Sequence, residues 1–261
     1  MLNLMLGAHS RVLQIGEAKR LRRNNHKQEA CVLCNTGKPC SLFEGITPDN
    51  VNTLYDTLFE RNPDIDVIVD NSKRTDWSSR FLSQRDRYDI KFIHLLRDPR
   101  ALIRRWYLSF GDKPKPVQRW KLMRKSADML LRAPFCNTTQ LYAYKWLCQN
   151  RIISKYLSNN QLTSYVLTYH DLVTDLQQQL TSLSDFIGID FEPQQLEYWN
   201  TQQHASGKTS ELLHKEGISL DTRWQEYLTG EMLQLIENEE LIKNYLQDIK
   251  LQMQGNGLTH V

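Results

Sequence analysis

No stretch of this 261-residue chain approaches the ~18 consecutive apolar residues that a membrane-crossing helix needs. The apolar opening, Met1 to Leu6, has no basic region before it and no cleavage-like site after it, so it reads as a helix and not as a signal peptide. Charge of one sign is also missing: 33 Lys and Arg against 30 Asp and Glu leave a net +3, with the two signs interleaved. That balance gives no electrostatic footprint for a nucleic acid, and no nucleic-acid partner is expected. Cysteine is sparse. Five thiols, an odd number in a chain this long, argue against a secreted disulfide scaffold and fit a reducing cytosol, so the expected location is cytoplasmic. Internal repeats and low-complexity tracts are absent, and no complete Gly-x4-Gly-Lys-[Ser/Thr] loop is present to clamp a nucleotide with magnesium.

What remains is ordinary globular composition, 40% apolar and 24% charged, in a chain long enough to bury a core. Short β-rich runs alternate with helical stretches, which predicts an α/β fold: a parallel sheet flanked by helices. Strands are expected at Asp66–Asp70, Ile90–Leu96 and Ser164–Thr168. Helices are expected over Trp77–Gln84, Pro99–Phe110, Val117–Leu131 and Thr138–Leu157, and from Tyr169 to a stop at Gly188. The expected organisation is one domain over residues 1–261, with an α/β core to residue 190 and a mainly helical part from 191 onward.

One segment concentrates chemistry. The apolar run Phe92 to Leu96 ends abruptly at Arg97-Asp98-Pro99-Arg100, and Arg104 and Arg105 follow one turn later. A strand feeding a helix N-terminus gathers backbone N–H groups and a positive dipole end at one point. Arginine adds a planar fork suited to phosphate or sulfate. The same residues also suit a solvated basic face, with Arg97 paired to Asp98 or to a distant carboxylate. Ala101, Arg105 and Ser109 form a row along that helix, and its small first member permits close approach of a ligand.

The stretch Leu95-Leu96-Arg97-Asp98-Pro99-Arg100-Ala101 resembles the 3′-phosphate-binding strand–helix of PAPS-dependent sulfotransferases, whose donor is 3′-phosphoadenosine 5′-phosphosulfate. Three further segments agree in order. Met1 to Ser10, continuing to Ile15-Gly16-Glu17, resembles the helix and turn after the family's donor loop. Val69-Asp70-Asn71-Ser72-Lys73 resembles the Asp-Ser-Ser-Lys turn of bacterial members. Tyr169-His170-Asp171-Leu172, running on to Phe186-Ile187-Gly188-Ile189, resembles the Tyr-Glu-Asp-Leu segment and its helix.

The resemblance spans Met1 to about Trp224 and implies a P-loop-like fold that moves a sulfuryl group from PAPS to a hydroxyl or amine. The acceptor would be a small molecule, a glycan or a peptide, and no metal is needed for the chemistry. It implies Glu17 as catalytic base, by likeness to the Gly-Glu turn of tyrosylprotein sulfotransferases, and Lys73 at the donor's bridging oxygen, with Asp70 orienting Lys73 or acting as a rival base. It implies Arg97 on the 3′-phosphate and Tyr169 on adenine. The family usually has serine where Arg105 stands, so that contact falls to Arg105 or to Ser109. Lys215, in His214-Lys215-Glu216-Gly217, faintly resembles the family's Arg-Lys-Gly phosphate loop. The family's first strand and Gly/Ser-rich donor loop would precede Met1, which implies an upstream start or a chain that retains only part of the donor site. The alternatives are a non-catalytic nucleotide- or anion-binding remnant of this fold and a P-loop-type kinase.

Each role has a plain structural rival. Glu17 equally suits a first helical turn ahead of the basic Lys19-Arg20-Arg22-Arg23 face, Lys73 a surface turn, and Tyr169 a core strand end. Cys31-x2-Cys34-x5-Cys40, with His26 before it, has thiolate and imidazole donors enough for zinc, but it has a single x2 pair, and the resemblance implies a substrate-side loop like those of bacterial sulfotransferases; no metal is expected. Cys136 and Cys148 fall in helical pattern and read as core. His94 reads as a satisfied interior residue and His170 as a helix cap or nucleotide neighbour. His9 and His204 have no partner that sequence can name.

Overall fold

Strand formation here is local and brief, and the elements around the strands are helical. The computed structural model describes residues 1–22, 31–34, 40–205 and 208–255. In chain order its elements are α1 (Leu2–Gly7), β1 (Val12–Gln14), α2 (Leu54–Arg61), β2 (Val67–Val69), α3 (Thr75–Ser78) and β3 (Phe92–Leu96). Next come α4 (Pro99–Phe110), α5 (Pro116–Met123), α6 (Ala127–Arg132), α7 (Thr138–Asn159) and β4 (Ser164–Thr168). The chain closes with α8 (Tyr169–Thr174), α9 (Leu176–Ile187), α10 (Lys208–Leu213), α11 (Trp224–Tyr227), α12 (Gly230–Glu237) and α13 (Glu240–Gly255). Among the described residues no helix is long and apolar enough to cross a membrane.

The strands are parallel, as expected, and pair as two separate two-stranded ladders. They belong to different compact units. The first unit takes residues 1–90 and 175–218, the second 91–174 and 219–261, so the units do not follow a division at residue 190. In the first unit β1 pairs with β2, Leu13 opposite Ile68. Its core gathers Ile15, Leu54, Leu58, Trp77 and Phe81. In the second unit β3 pairs with β4, His94 opposite Val166. Its core joins Leu96 and Val166 to Ile103 and Tyr107 of α4, Tyr142 and Trp146 of α7, and Ile242 and Ile249 of α13.

Local chemistry explains where the helices begin and end. Asp98 caps α4 by accepting from the Arg100 N–H at 2.8 Å, and Pro99 fills the first turn. Asn137 and Gln140 form a reciprocal capping box at the start of α7. Gly188 ends α9 in the left-handed conformation, φ 87°.

Two expected helices divide. The Val117–Leu131 stretch splits into α5 and α6 around Ser126, where the backbone is extended, and the Arg119 guanidinium holds the second turn by donating to the carbonyls of Ala133 and Cys136 at 2.7 Å each. The Tyr169–Gly188 stretch breaks at Asp175, φ −137°, after Thr174 has returned its hydroxyl to the His170 carbonyl. Trp77–Gln84 is one α-turn, α3, followed by a 3-10 segment. β1 is an element the sequence reading did not contain.

Lys145 of α7 lies half-buried, its ammonium 4.1 Å from the Trp106 ring centre and 4.6 Å from that of Phe110. The rings favour the cation, yet burial, aided by the Lys125 charge, pulls its pKa down to about 8. An unfolded lysine stays protonated to its ordinary, higher value, so between the two the unfolded chain binds the extra proton and this residue's contribution to stability rises with pH. Replacing Lys145 with Met is therefore expected to flatten the alkaline rise in urea-unfolding stability above about pH 8. An unchanged pH profile would show that burial does not perturb this lysine.

Candidate functional site

In the first unit, parallel pairing brings two strand ends to the same side. The Ile15 N–H donates to the Val69 carbonyl at 3.0 Å and the Asn71 N–H to the Gly16 carbonyl at 2.8 Å. The ladder thus continues past both strands into the turns that carry Glu17 and Lys73. Gly16 sits at φ 64°, where a side chain would be strained, and directs the chain from β1 into a 3-10 turn over Ala18–Arg22. Lys73 is itself at φ 55°, a left-handed position unusual for a non-glycine residue.

Glu17 and Lys73, expected to act together, do meet: the Lys73 ammonium donates to Glu17 Oε1 at 3.2 Å. Lys19 Nζ lies 3.1 Å and Arg20 Nε 3.6 Å from the other carboxylate oxygen. Lys19 is anchored in turn, its N–H to Ser72 Oγ at 2.9 Å and its ammonium to the Ser72 carbonyl at 2.7 Å. Burial raises the Glu17 pKa, but the Lys19 hydrogen bond and the Lys73 and Lys19 charges outweigh it and hold the carboxyl below the ordinary glutamate range. Glu17 is thus ionised at neutral pH.

Asp70 is differently employed. It accepts from the Trp77 indole at 2.7 Å, the Tyr55 hydroxyl at 3.0 Å and the Ser72 N–H at 2.8 Å, and also from the Ser72 hydroxyl. Burial pushes its carboxyl up despite those four donors. With its oxygens so engaged, Asp70 shapes the Asn71-Ser72-Lys73 turn.

In the second unit β3 and β4 end side by side in the same way. Arg97 follows β3 and Tyr169 follows β4, and the guanidinium lies over the Tyr169 ring, 5.1 Å from its centre. Arg97 is paired to a distant carboxylate: its Nη2 donates to Asp221 at 3.2 Å, while its buried Nε has no partner among the described residues. The Trp146 indole donates to the Arg97 carbonyl at 2.9 Å, and the Tyr169 hydroxyl to the Ser219 carbonyl at 3.0 Å. Asp221 also accepts from Arg223 at 2.9 Å, and this bond, with the charges of Arg223, Arg97 and Arg104, holds its carboxyl below the usual range.

The other arginines divide. Arg100 is engaged by Asp98 at 2.8 Å and Glu237 at 3.1 Å and lies over the Trp224 ring, so it braces the helix start. Arg105 and Ser109 lie on the exposed face of α4, and the Ser109 hydroxyl donates to the Arg105 carbonyl at 2.9 Å. Lys215, in the first unit, is exposed on the turn after α10, its carbonyl accepting from Tyr198 at 2.9 Å.

Of the histidines, His94 is buried with Nε2 3.1 Å from Asn150 Oδ1, and burial lowers its pKa. His9 is buried 2.9 Å from the Asp190 carbonyl, and His170 is an exposed residue of α8. Cys136 and Cys148 are buried in the core. Cys31, Cys34 and Cys40 converge on His204, a partner separated from them by more than 160 residues; His26 and Arg23 lie outside the described residues. Asp221 was likewise illegible, because nothing local marks a carboxylate 124 residues from its arginine.

The sequence pattern of the family described as "Sulfotransferase domain" matches residues 79–238. That span contains Arg97, Arg105, Ser109, Tyr169 and Lys215; Glu17 and Lys73 precede it. Among solved structures, a sulfotransferase domain from the curacin biosynthetic pathway is similar with a TM-score of 0.58 at 18% identity, over 90% of this chain and 91% of that one. A sulfotransferase domain from the Synechococcus PCC 7002 olefin synthase gives 0.52 at 18% identity, over 90% and 88%. At such identity the likeness establishes a shared fold. No curated protein matches the chain.

Asp70→Ala leaves the Trp77 indole and the Tyr55 hydroxyl without their acceptor, and is expected to cost about 3 kcal/mol by denaturant unfolding. A loss below about 1 kcal/mol would mean that the turn does not depend on this carboxylate.

Proposed function

Because the chain belongs to the sulfotransferase domain family, whose chemistry is sulfuryl transfer, we propose that it moves the sulfuryl group of PAPS to a hydroxyl or amine of a small-molecule, glycan or peptide acceptor. The observation that supports this best is the Glu17–Lys73 pair, an ionised carboxylate and an ammonium held 3.2 Å apart by two parallel strand ends.

In this reading the acceptor oxygen attacks sulfur, its proton passes to a Glu17 carboxylate oxygen, and the bond from sulfur to the bridging phosphate oxygen breaks. The Lys73 ammonium neutralises the charge that grows on that oxygen as 3′-phosphoadenosine 5′-phosphate leaves. The step needs no metal. Lys73 is 68% exposed along its side chain, so its ion pair with Glu17 stabilises the fold by only about 0.2–1 kcal/mol. A bound phosphosulfate can therefore draw the ammonium away, which opens Glu17 Oε1 to a proton while Lys19 and Arg20 stay on Oε2.

Arg97 holds the 3′-phosphate, with its unpartnered Nε as a donor already in place, and Tyr169 receives the adenine. Arg105, Ser109 and Lys215 are further phosphate contacts in the same reading. Asp221 is the counter-charge that the 3′-phosphate displaces from Arg97.

Titration calorimetry with 3′-phosphoadenosine 5′-phosphate and transfer of labelled sulfate from PAPS to phenol, sugar and tyrosine-peptide acceptors test this. Arg97→Ala is expected to weaken nucleotide binding about 10- to 100-fold. Glu17→Gln is expected to lower kcat by about 100-fold or more while nucleotide affinity stays within a few-fold. Tight nucleotide binding without transfer to any acceptor would favour a nucleotide-binding protein. Binding of ATP with magnesium in place of the adenosine bisphosphate would overturn the reading.

A further inference from the structure

We infer that Cys31, Cys34, Cys40 and His204 form a zinc site that fastens the first unit together. The four ligand atoms all lie within 4.8 Å of one another. His204 Nδ1 is 3.5 Å from the sulfur of Cys31, 3.5 Å from that of Cys34 and 3.3 Å from that of Cys40, and the Cys34 and Cys40 sulfurs are 3.9 Å apart.

A tetrahedral zinc, about 2.3 Å from sulfur and about 2.0–2.1 Å from nitrogen, sets sulfurs about 3.8 Å apart and nitrogen about 3.5 Å from each sulfur. The three nitrogen–sulfur distances and the Cys34–Cys40 separation match those edges, and the Cys31 sulfur lies within 4.8 Å of the other two. Hydrogen bonding does not account for the arrangement. A neutral imidazole nitrogen offers one lone pair or one proton, so Nδ1 can satisfy one of three sulfurs. A cation at the centre satisfies all four groups, and three soft thiolates with one imidazole select zinc among common divalent ions.

The backbone holds the ligands in place. The Val32 N–H donates to the Ala205 carbonyl at 2.9 Å, tying the cysteine segment to the histidine segment. The Ser41 hydroxyl lies 3.4 Å from the Cys34 sulfur. The buried Gln14 side chain donates its amide N–H to the His204 carbonyl and accepts from Asn3 at 3.0 Å and from the Gly16 N–H at 3.2 Å.

Four protein ligands leave no open position, which marks a structural ion and not a catalytic one. It would join Cys31, Cys34 and Cys40 to His204, which is remote from them in sequence within the first unit, with Gln14 relaying the restraint to the turn before Glu17. The inference is independent of the sulfuryl-transfer reading.

The test is elemental analysis of the tag-free full chain, purified without chelator, followed by exchange of the metal for cobalt(II). Stoichiometric zinc and the intense visible absorption of a tetrahedral cobalt–thiolate centre are expected. Chelation should lower the melting temperature and added zinc should restore it. His204→Ala and Cys34→Ser should each lose the bound zinc, while His204→Cys should retain it with a shifted cobalt spectrum. If the single variants fail to fold, chelation and zinc re-addition on the unaltered chain carry the test. A folded chain that takes up no zinc at equimolar metal, or one isolated metal-free with Cys34 and Cys40 joined as a disulfide, overturns the inference. Full zinc content in both His204→Ala and Cys34→Ser does so as well.

Discussion

Parallel pairing is the constraint on which the candidate chemistry rests. When two strands run the same way, the residues just beyond each one emerge at the same edge, so turns far apart in sequence become neighbours without any attraction of their own. In the first unit this sets Gly16-Glu17 beside Asp70–Lys73, and in the second it sets Arg97 beside Tyr169. A one-residue slip of either short ladder would send alternate side chains to the opposite face. β1 and β2 are only three residues each, so the register is fixed mostly from outside: by Ile15, Trp77 and Phe81 packed beneath and by the Asp70 network at the end.

A second regularity is that cations in these turns are matched by carboxylates of the same unit. Lys73 faces Glu17, Arg97 faces Asp221, and Arg100 faces Asp98 and Glu237. Their environments differ enough to separate their roles. The Arg100 cluster is bidentate, capped and stacked on Trp224, an arrangement that fixes a helix terminus. The Lys73 pair is open to solvent and cheap to break. Arg97 stands between these cases, with one nitrogen committed to Asp221 and another buried without a partner among the described residues. At Lys73 and at Arg97 an internal carboxylate occupies the place that the proposed function gives to a more highly charged anion.

What could be read from the sequence followed the range of the interactions involved. α4 and β4 appear with the expected limits because proline, the Asp98 cap and an apolar β-rich run are local signals. Resemblance to a known pattern singles out Glu17 and Lys73 separately and offers Asp70 as the residue that orients Lys73; that Lys73 pairs with Glu17 is a tertiary contact, since residues 56 apart carry no periodicity that links them. The split of residues 117–131 is hidden because the amphipathic pattern continues across Ser126; the two helices are instead tied by Arg119, which reaches carbonyls 14 and 17 residues away. β1 was too short to show a period, and Asp221 and His204 join their sites through tertiary contacts that no local pattern encodes.

The division of the chain into interleaved units has a consequence for how the protein is made. Each unit is assembled from two separate stretches, 1–90 with 175–218 and 91–174 with 219–261. A ribosome delivers the first stretch of each long before its complement. β1 and β2 can pair early, but His204 is synthesised more than 160 residues after Cys31, Cys34 and Cys40. The nascent chain must therefore carry half-built cores until the later stretches arrive, the period when exposed apolar surface is most prone to wrong association. Residues 175–218 and 219–261 act late, closing structures that the earlier stretches have already begun.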